Sequence, residues 1–184
     1  MGERKASNER RGRRVKTRSK SRGNPEPQEP WNEIVPGLWM GGHYWALGSG
    51  DIQQAIVGSE FELVISLFTS PGHGPAPEVS HRVAEIPDEP LTAAQLGIVQ
   101  QLAQQAARAV GDGQRTLIRC NAGLNRSGLL VGQTLVDLGY EPATAITLIR
   151  QRRSPWALSN RIFEEYLTAG LDVAQLLASL EMPS

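Results

Sequence analysis

The chain has 184 residues, 40% of them hydrophobic and 21% charged, which suits one globular domain and leaves too little for two with ordinary cores. Its single cysteine excludes an internal disulfide framework and fits a reducing compartment, and no apolar run reaches the length of a membrane span. The formal net charge of zero hides a division: residues 1–22 hold ten of the 19 Lys and Arg and two Glu, leaving nine basic and 17 acidic residues elsewhere, a net of −8.

Residues 1–30 carry almost no large apolar side chain and cannot bury enough surface to offset their ordering entropy. They read as a disordered basic arm. One role for residues 1–22 is an anionic partner, nucleic acid or an anionic surface; the other is simple solubilisation. No apolar h-region follows the basic start, so no secretory signal is expected. Ala6 breaks the myristoylation pattern, and the Glu residues with a sparse apolar face argue against a transit peptide. The expected location is the cytoplasm.

The folded domain is expected over residues 31–184. Residues 37–42, GLWMGG, read as a short strand ending in glycines, and residues 51–57 as a short helix. Residues 61–68, FELVISLF, are a buried strand, being apolar, β-branched and too short for a helix. Residues 69–80 form a loop by their Pro and Gly content, and the alternating residues 81–86 a strand. A helix lies within residues 88–113: Thr92 caps it, Leu96, Val99, Leu102, Ala106 and Val110 recur at helical spacing, and Gly111 and Gly113 end it. Residues 115–120 are the next strand, 126–139 a helix closed by Gly139, and 142–153 a helix with Pro142 in its first turn. Ser159 or Asn160 caps one final helix over 161–180. Strand–helix alternation predicts an α/β domain: a twisted, mainly parallel sheet of four to five strands flanked by helices.

Between the strand at 115–120 and the helix at 126 lies CNAGLNRSG, residues 120–128. The N–H groups of Asn121, Ala122, Gly123, Leu124 and Asn125 are expected to form an anion nest at a helix N-terminus, where peptide dipoles concentrate positive charge. Gly123 permits the angles such a cradle needs. Arg126 supplies a planar fork for two phosphate oxygens. Cys120 then faces positive potential, which favours thiolate and makes it a nucleophile aimed at a bound phosphate. Ser127 can donate a hydrogen bond to that sulfur. The plain alternative is a buried structural cysteine in an ordinary strand-to-helix turn.

Cys120, five residues, Arg126 and Ser127 resemble the C-x5-R-[ST] signature of the cysteine-based protein tyrosine phosphatases, with Gly123 in place and Gly128 closing it. The stretch IVPGLWMGG is similar to the opening strand of the dual-specificity branch. VISLF resembles its next strand, and RQRRSPWALSNRIFEEYL, with Asn160 and Phe163, its closing segment. The resemblance spans about residues 31–167 and implies that Asp88, thirty-two residues before Cys120 and flanked by Pro87 and Pro90, is the general acid. Glu89 is the neighbouring alternative, and a turn or capping Asp the structural one. Arg119 stands where the family has His, and could either replace it or point away. The uncharged loop interior lacks the lysines usual in phosphoinositide phosphatases.

The resemblance implies a dual-specificity protein phosphatase that hydrolyses phosphorylated proteins or peptides through a phosphocysteine, without a cofactor. GLNRSG also resembles the RNA 5′-triphosphatase branch, which typically lacks the upstream acid, so Asp88 favours phosphomonoesters over an RNA or nucleotide 5′-phosphatase. A phosphate-recognising pseudophosphatase is a third reading. His43, His73 and His81 have no metal-ligand spacing, so no metal is expected. Arg150, Arg152 and Arg153 read as a second anion pocket or a solvated helix end, and Trp31, Trp39, Trp45 and Trp156 as core or rim packing.

Overall fold

The computed structural model describes residues 27–180, so residues 1–26 of the expected arm lie outside the described residues. Residues 27–30, expected as the end of that arm, are instead tied to the domain: the Pro27, Glu29 and Pro30 carbonyls accept from Ala46 N–H, Arg153 Nη1 and Gly42 N–H at 2.9, 2.8 and 3.2 Å. Two strands open the described chain, β1 (Trp31–Val35) and β2 (Leu38–Gly42), paired antiparallel with Val35 opposite Leu38. β5 (Leu63–Ser66) and β7 (Thr116–Cys120) are buried along their whole length. Strands covered on both faces select continuous apolar runs rather than alternation, and these runs are what the sequence displays. β6 (Ser80–Val83) is a mostly exposed edge. The sheet order is β1-β2-β7-β5-β6; every pairing beyond β1–β2 is parallel. This is the mainly parallel five-stranded sheet expected, with β7 at its centre.

Residues 51–57 are not a helix. β3 (Tyr44–Ala46) and β4 (Ile52–Gln54) form a separate antiparallel pair. A turn closed by Leu47 N–H to the Asp51 carbonyl (2.9 Å) and Gly50 N–H to the Leu47 carbonyl (2.7 Å) folds Ile52 back onto Ala46. Seven residues form too few turns to offset helix nucleation, and the pairing with residues 44–46 wins.

α1 (Ala93–Gly111) starts in a capping box: the Thr92 hydroxyl accepts from Gln95 N–H and the Gln95 side chain accepts from Thr92 N–H. Its inward stripe is Leu96, Val99, Ala103, Ala106 and Ala109. α2 (Arg126–Asp137) and α3 (Pro142–Arg152) follow β7. The single final helix expected over 161–180 is two, α4 (Arg161–Ala169) and α5 (Leu171–Leu180). Gly170 separates them at φ +95°, a conformation that costs a residue with a Cβ far more than glycine. The break lets Leu167 and Leu171 both bury.

The main core lies between the sheet and the helices and includes Ile118, Cys120, Leu124, Leu129 and Leu130. A smaller cluster of Val57, Phe61, Val64 and Leu117 covers the other face. Trp31 and Trp39 meet Phe61 edge-on at 5.6 and 5.8 Å, the packing role expected of them. Trp156 is 48% exposed. Among the described residues, no helix is long and apolar enough to cross a membrane.

Candidate active site

β7 ends at Cys120 and α2 begins at Arg126, so residues 121–125 are the entire connection. The carbonyls of residues 120–125 all accept hydrogen bonds. Those of Cys120 and Asn121 accept from His43 N–H at 3.0 and 2.8 Å, and Tyr44 N–H also reaches Asn121 at 3.3 Å. Those of Gly123 and Ala122 accept from the Arg153 guanidinium at 3.1 and 3.5 Å. Leu124 is bonded by Leu158 N–H at 3.2 Å and Asn125 by Leu129 N–H at 2.8 Å. With its acceptors committed, the loop has its N–H groups left to offer an anion.

Close backbone contact holds this shape. A Cβ on Gly42 would lie 2.7 Å from the Ala122 carbonyl carbon, and one on Gly123 would lie 2.5 Å from the Gly41 carbonyl carbon. Gly123 also sits at φ +71°. One glycine of β2 and one of the loop thus let two backbones touch, which a side chain at either position would forbid.

Cys120 Sγ lies 3.3 Å from Ser127 Oγ, both groups buried. Asn125 occupies the N-cap of α2, yet its side chain makes no capping bond. Its Nδ2 donates instead to Asp88 Oδ2 at 3.0 Å, and its Oδ1 accepts from Ser159 Oγ (3.2 Å) and Asn160 N–H (3.1 Å). Asn is among the preferred N-capping residues, so the first-turn donors of α2 are left uncovered because this side chain is engaged elsewhere. Asn160 Nδ2 donates to Asp88 Oδ1 at 2.8 Å while its own Oδ1 caps α4. Asp88 is thereby drawn to the mouth of the loop by two amides. Glu89 beside it is exposed. Arg126 Nη1 donates to the Ile86 carbonyl at 3.2 Å, and its guanidinium carbon sits 5.3 Å from the Phe68 ring centroid.

Cys120, Arg126, Ser127 and Asp88, separated by up to 39 positions in the sequence, therefore meet at one loop. Of the loop residues expected to bind substrate, Leu124 turns its side chain into the core, and Asn125 uses its side chain to hold Asp88. Asn160 appears in the sequence as a cap; its bond to Asp88 is a second task that spacing does not reveal.

Arg119 points away from the loop, as the period-two geometry of a strand requires when Cys120 faces the helices. It is 2% exposed. Its Nε donates to Ser66 Oγ at 3.0 Å and its Nη1 to the His73 carbonyl at 2.9 Å. Ser66 Oγ is also hydrogen-bonded to His81 Nε2, 2.9 Å away. His43 and His73, at 5.2 Å between centroids, complete the cluster. Burial, reinforced by the Arg119 charge, holds His43 down at about 3. The same two causes lower His73 and His81, and burial alone brings Arg119 to about 10. Among the described residues, no group of three or more His, Cys, Asp or Glu is placed to hold a metal ion.

Of the three arginines at the end of α3, Arg152 is exposed, as a solvated helix end would have it, while Arg150 and Arg153 are engaged by the fold. Arg150 donates to the Ala157 and Leu158 carbonyls at 3.2 Å each and pairs with Glu164 at 2.7 Å. Arg153 is 6% exposed and, besides the Gly123 and Ala122 carbonyls, binds the Glu29 carbonyl and Asn32 Oδ1 at 2.8 and 2.7 Å.

A central parallel strand thus delivers a cysteine to a short loop, and an arginine opens the helix that follows. The structure of human DUSP28 superposes with a TM-score of 0.63 at 22% identity, covering 83% of this chain and 99% of that one. A mouse protein described as a putative dual specificity phosphatase, in complex with zinc tungstate, gives 0.59 at 20% identity, with 89% and 97% covered. The Orf virus tyrosine phosphatase OH1, described as having triple substrate specificity, gives 0.55 at 17%, with 80% and 90% covered. The fold of this chain is that of the dual-specificity phosphatases. No family model and no curated relative matches the sequence.

Proposed function

We propose that this protein is a phosphatase of the dual-specificity type, acting on phosphorylated proteins or peptides as a phosphomonoester hydrolase. The observation that carries this is the loop whose six carbonyls all accept hydrogen bonds, with Cys120 Sγ at its start. Phosphate oxygens take the loop N–H groups and the Arg126 fork. Cys120 Sγ attacks phosphorus in line; an S–P bond forms as the P–O bond to the leaving group breaks. Asp88 gives its proton to the departing oxygen, and Ser127 donates to the sulfur when it leaves in the second step. Water then attacks phosphorus, Asp88 takes its proton, the S–P bond breaks and inorganic phosphate is released. The reaction calls on no cofactor.

The test is turnover of a phosphotyrosine peptide, a phosphoserine peptide and a 5′-triphosphate RNA by the wild-type chain and by Cys120→Ser. Peptide turnover by the wild type and none above background by the variant is the expected result. Undiminished turnover by Cys120→Ser would end the covalent mechanism, and turnover of the triphosphate alone would replace the monoester reading with the triphosphatase one.

A further inference from the structure

Arg126 has two described contacts besides whatever it binds. One is its hydrogen bond to the Ile86 carbonyl, two residues before Asp88. The other is the face of Phe68, with 5.3 Å from Cζ to the ring centroid, within the range where a cation is drawn to an aromatic face. Phe68 follows β5 and is half-buried. Its ring is not left to rotate freely. His43 meets it edge-on at 5.6 Å, and His43 Nε2 lies 2.8 Å from the Phe68 carbonyl. A carbonyl only accepts, so the neutral imidazole carries its proton on Nε2 and donates there. The backbone N–H of the same His43 bonds the Cys120 and Asn121 carbonyls. One residue thus grips the phosphate loop with its main chain and Phe68 with its ring. His73 and Tyr44 continue the aromatic row, at 5.2 and 5.3 Å between centroids, and the Tyr44 hydroxyl meets Ser70 Oγ at 3.3 Å.

Resting on the proposed phosphatase reading, we infer that Phe68, keyed to the loop by His43, is a positioning residue that fixes the plane of the Arg126 guanidinium for two-point binding of the phosphate. A guanidinium on a flexible stem loses conformational entropy when it binds an oxyanion with both arms. A ring that already fixes its plane removes part of that loss and keeps the fork facing the loop centre. Two holds act on one group from different sides, the Ile86 carbonyl in the plane and the Phe68 face across it. The sequence offers no sign of this, because Phe68 lies 58 positions from Arg126 and reads as the last apolar residue of a strand.

The experiment separates binding from turnover by using the full chain with Cys120→Ser and measuring tungstate affinity by calorimetry. Phe68→Leu keeps apolar volume and removes the π face, so tungstate should bind about 3- to 30-fold more weakly. Phe68→Met, a second filler without a ring, should behave the same way, and Phe68→Tyr should restore affinity to within about twofold. In an Arg126→Lys background the Phe68→Leu change should matter much less, since the planar group the ring holds is gone. Three results would each overturn the positioning role while leaving the phosphate site intact: equal affinity with Phe, Leu or Met at this position, a Phe68→Tyr chain as weak as Phe68→Leu, or an undiminished Phe68→Leu penalty in the Arg126→Lys background. Failure of the Cys120→Ser chain to bind tungstate at all would instead sink the phosphatase reading, and this inference with it.

Discussion

Gly42→Ala tests whether the cradle is shaped by contact with β2. The added Cβ would lie 2.7, 2.8 and 2.9 Å from the Ala122 carbonyl carbon, the Asn121 oxygen and the Ala122 oxygen. All three are backbone atoms, so no side chain can swing aside. Ordinary contact begins near 3.4 Å, and the loop must therefore retreat by roughly 0.5–0.7 Å or β2 must bend. Overpacking of this kind costs about 1–3 kcal/mol, which in a chain of this size lowers the unfolding midpoint by roughly 2–12 °C. The larger effect should fall on function. Misplacing a reacting group by about 1 Å can cost on the order of 10²-fold, so a loss of about 10- to 100-fold in kcat/KM for p-nitrophenyl phosphate is expected while the protein remains folded at 25 °C. Thermal unfolding and steady-state kinetics on the same preparation read both numbers. Turnover within twofold of wild type, with an unmoved midpoint, would show that the loop does not lean on Gly42 and would refute the close-contact account.

Asp88→Asn should cut phosphopeptide turnover by about 10²–10⁴-fold and activated aryl phosphates much less, because the acid matters most where the leaving oxygen is most basic. Equal kcat across leaving-group pKa for both proteins would remove Asp88 from the role and make Glu89 the next variant. Stability should fall below pH 6.5. The unfolded histidines take up protons there, whereas folded His43 stays neutral until about pH 3 and His73 and His81 are also lowered. The stabilisation is fully present above the unfolded value and is lost as pH falls towards the folded ones. His43 alone contributes a slope of up to about 1.4 kcal/mol per pH unit across that window. Urea unfolding at pH 7.5, 6 and 5 should show that slope reduced by about one proton in His43→Gln, and identical slopes would count against the buried neutral imidazole.

The parts of this molecule legible in the sequence are those set by local rules. The place of the loop between a strand ending at Cys120 and a helix opening at Arg126 is one, and β5 and β7 announce themselves by unbroken apolar runs. The capping box of α1 is likewise written in Thr92 and Gln95. What stays hidden depends on partners distant in the chain. Residues 52–54 become a strand only because residues 44–46 lie beside them. Gly170 reads as a tolerable defect inside a long helix, costing about 1 kcal/mol against alanine; in the fold it is where the helix ends, because both leucines flanking the break find the core. The direction of Arg119 follows from strand alternation once Cys120 is taken to face the helices, but its company of three histidines does not, since they come from three separate segments. Asn160 reads as a cap and Asn125 as part of the anion-binding loop, and only the geometry reveals that both side chains donate to Asp88.

The position of β7 bears on how the chain reaches this state. Leu38 and Leu63 both take Thr116 as their register partner, from opposite sides. Until β7 enters, the pair β1–β2 and the pair β5–β6 have no edge in common, and the first ninety residues cannot close a sheet on their own. Pairings of such sequence separation are slow to form, since loop-closure entropy is lost before contacts offset it. The strand that ends in Cys120 is therefore the insert that joins two half-sheets. A ribosome-bound chain that has not yet released residue 120 can hold neither a finished sheet nor a thiol in its cradle, and both arise in the same folding event.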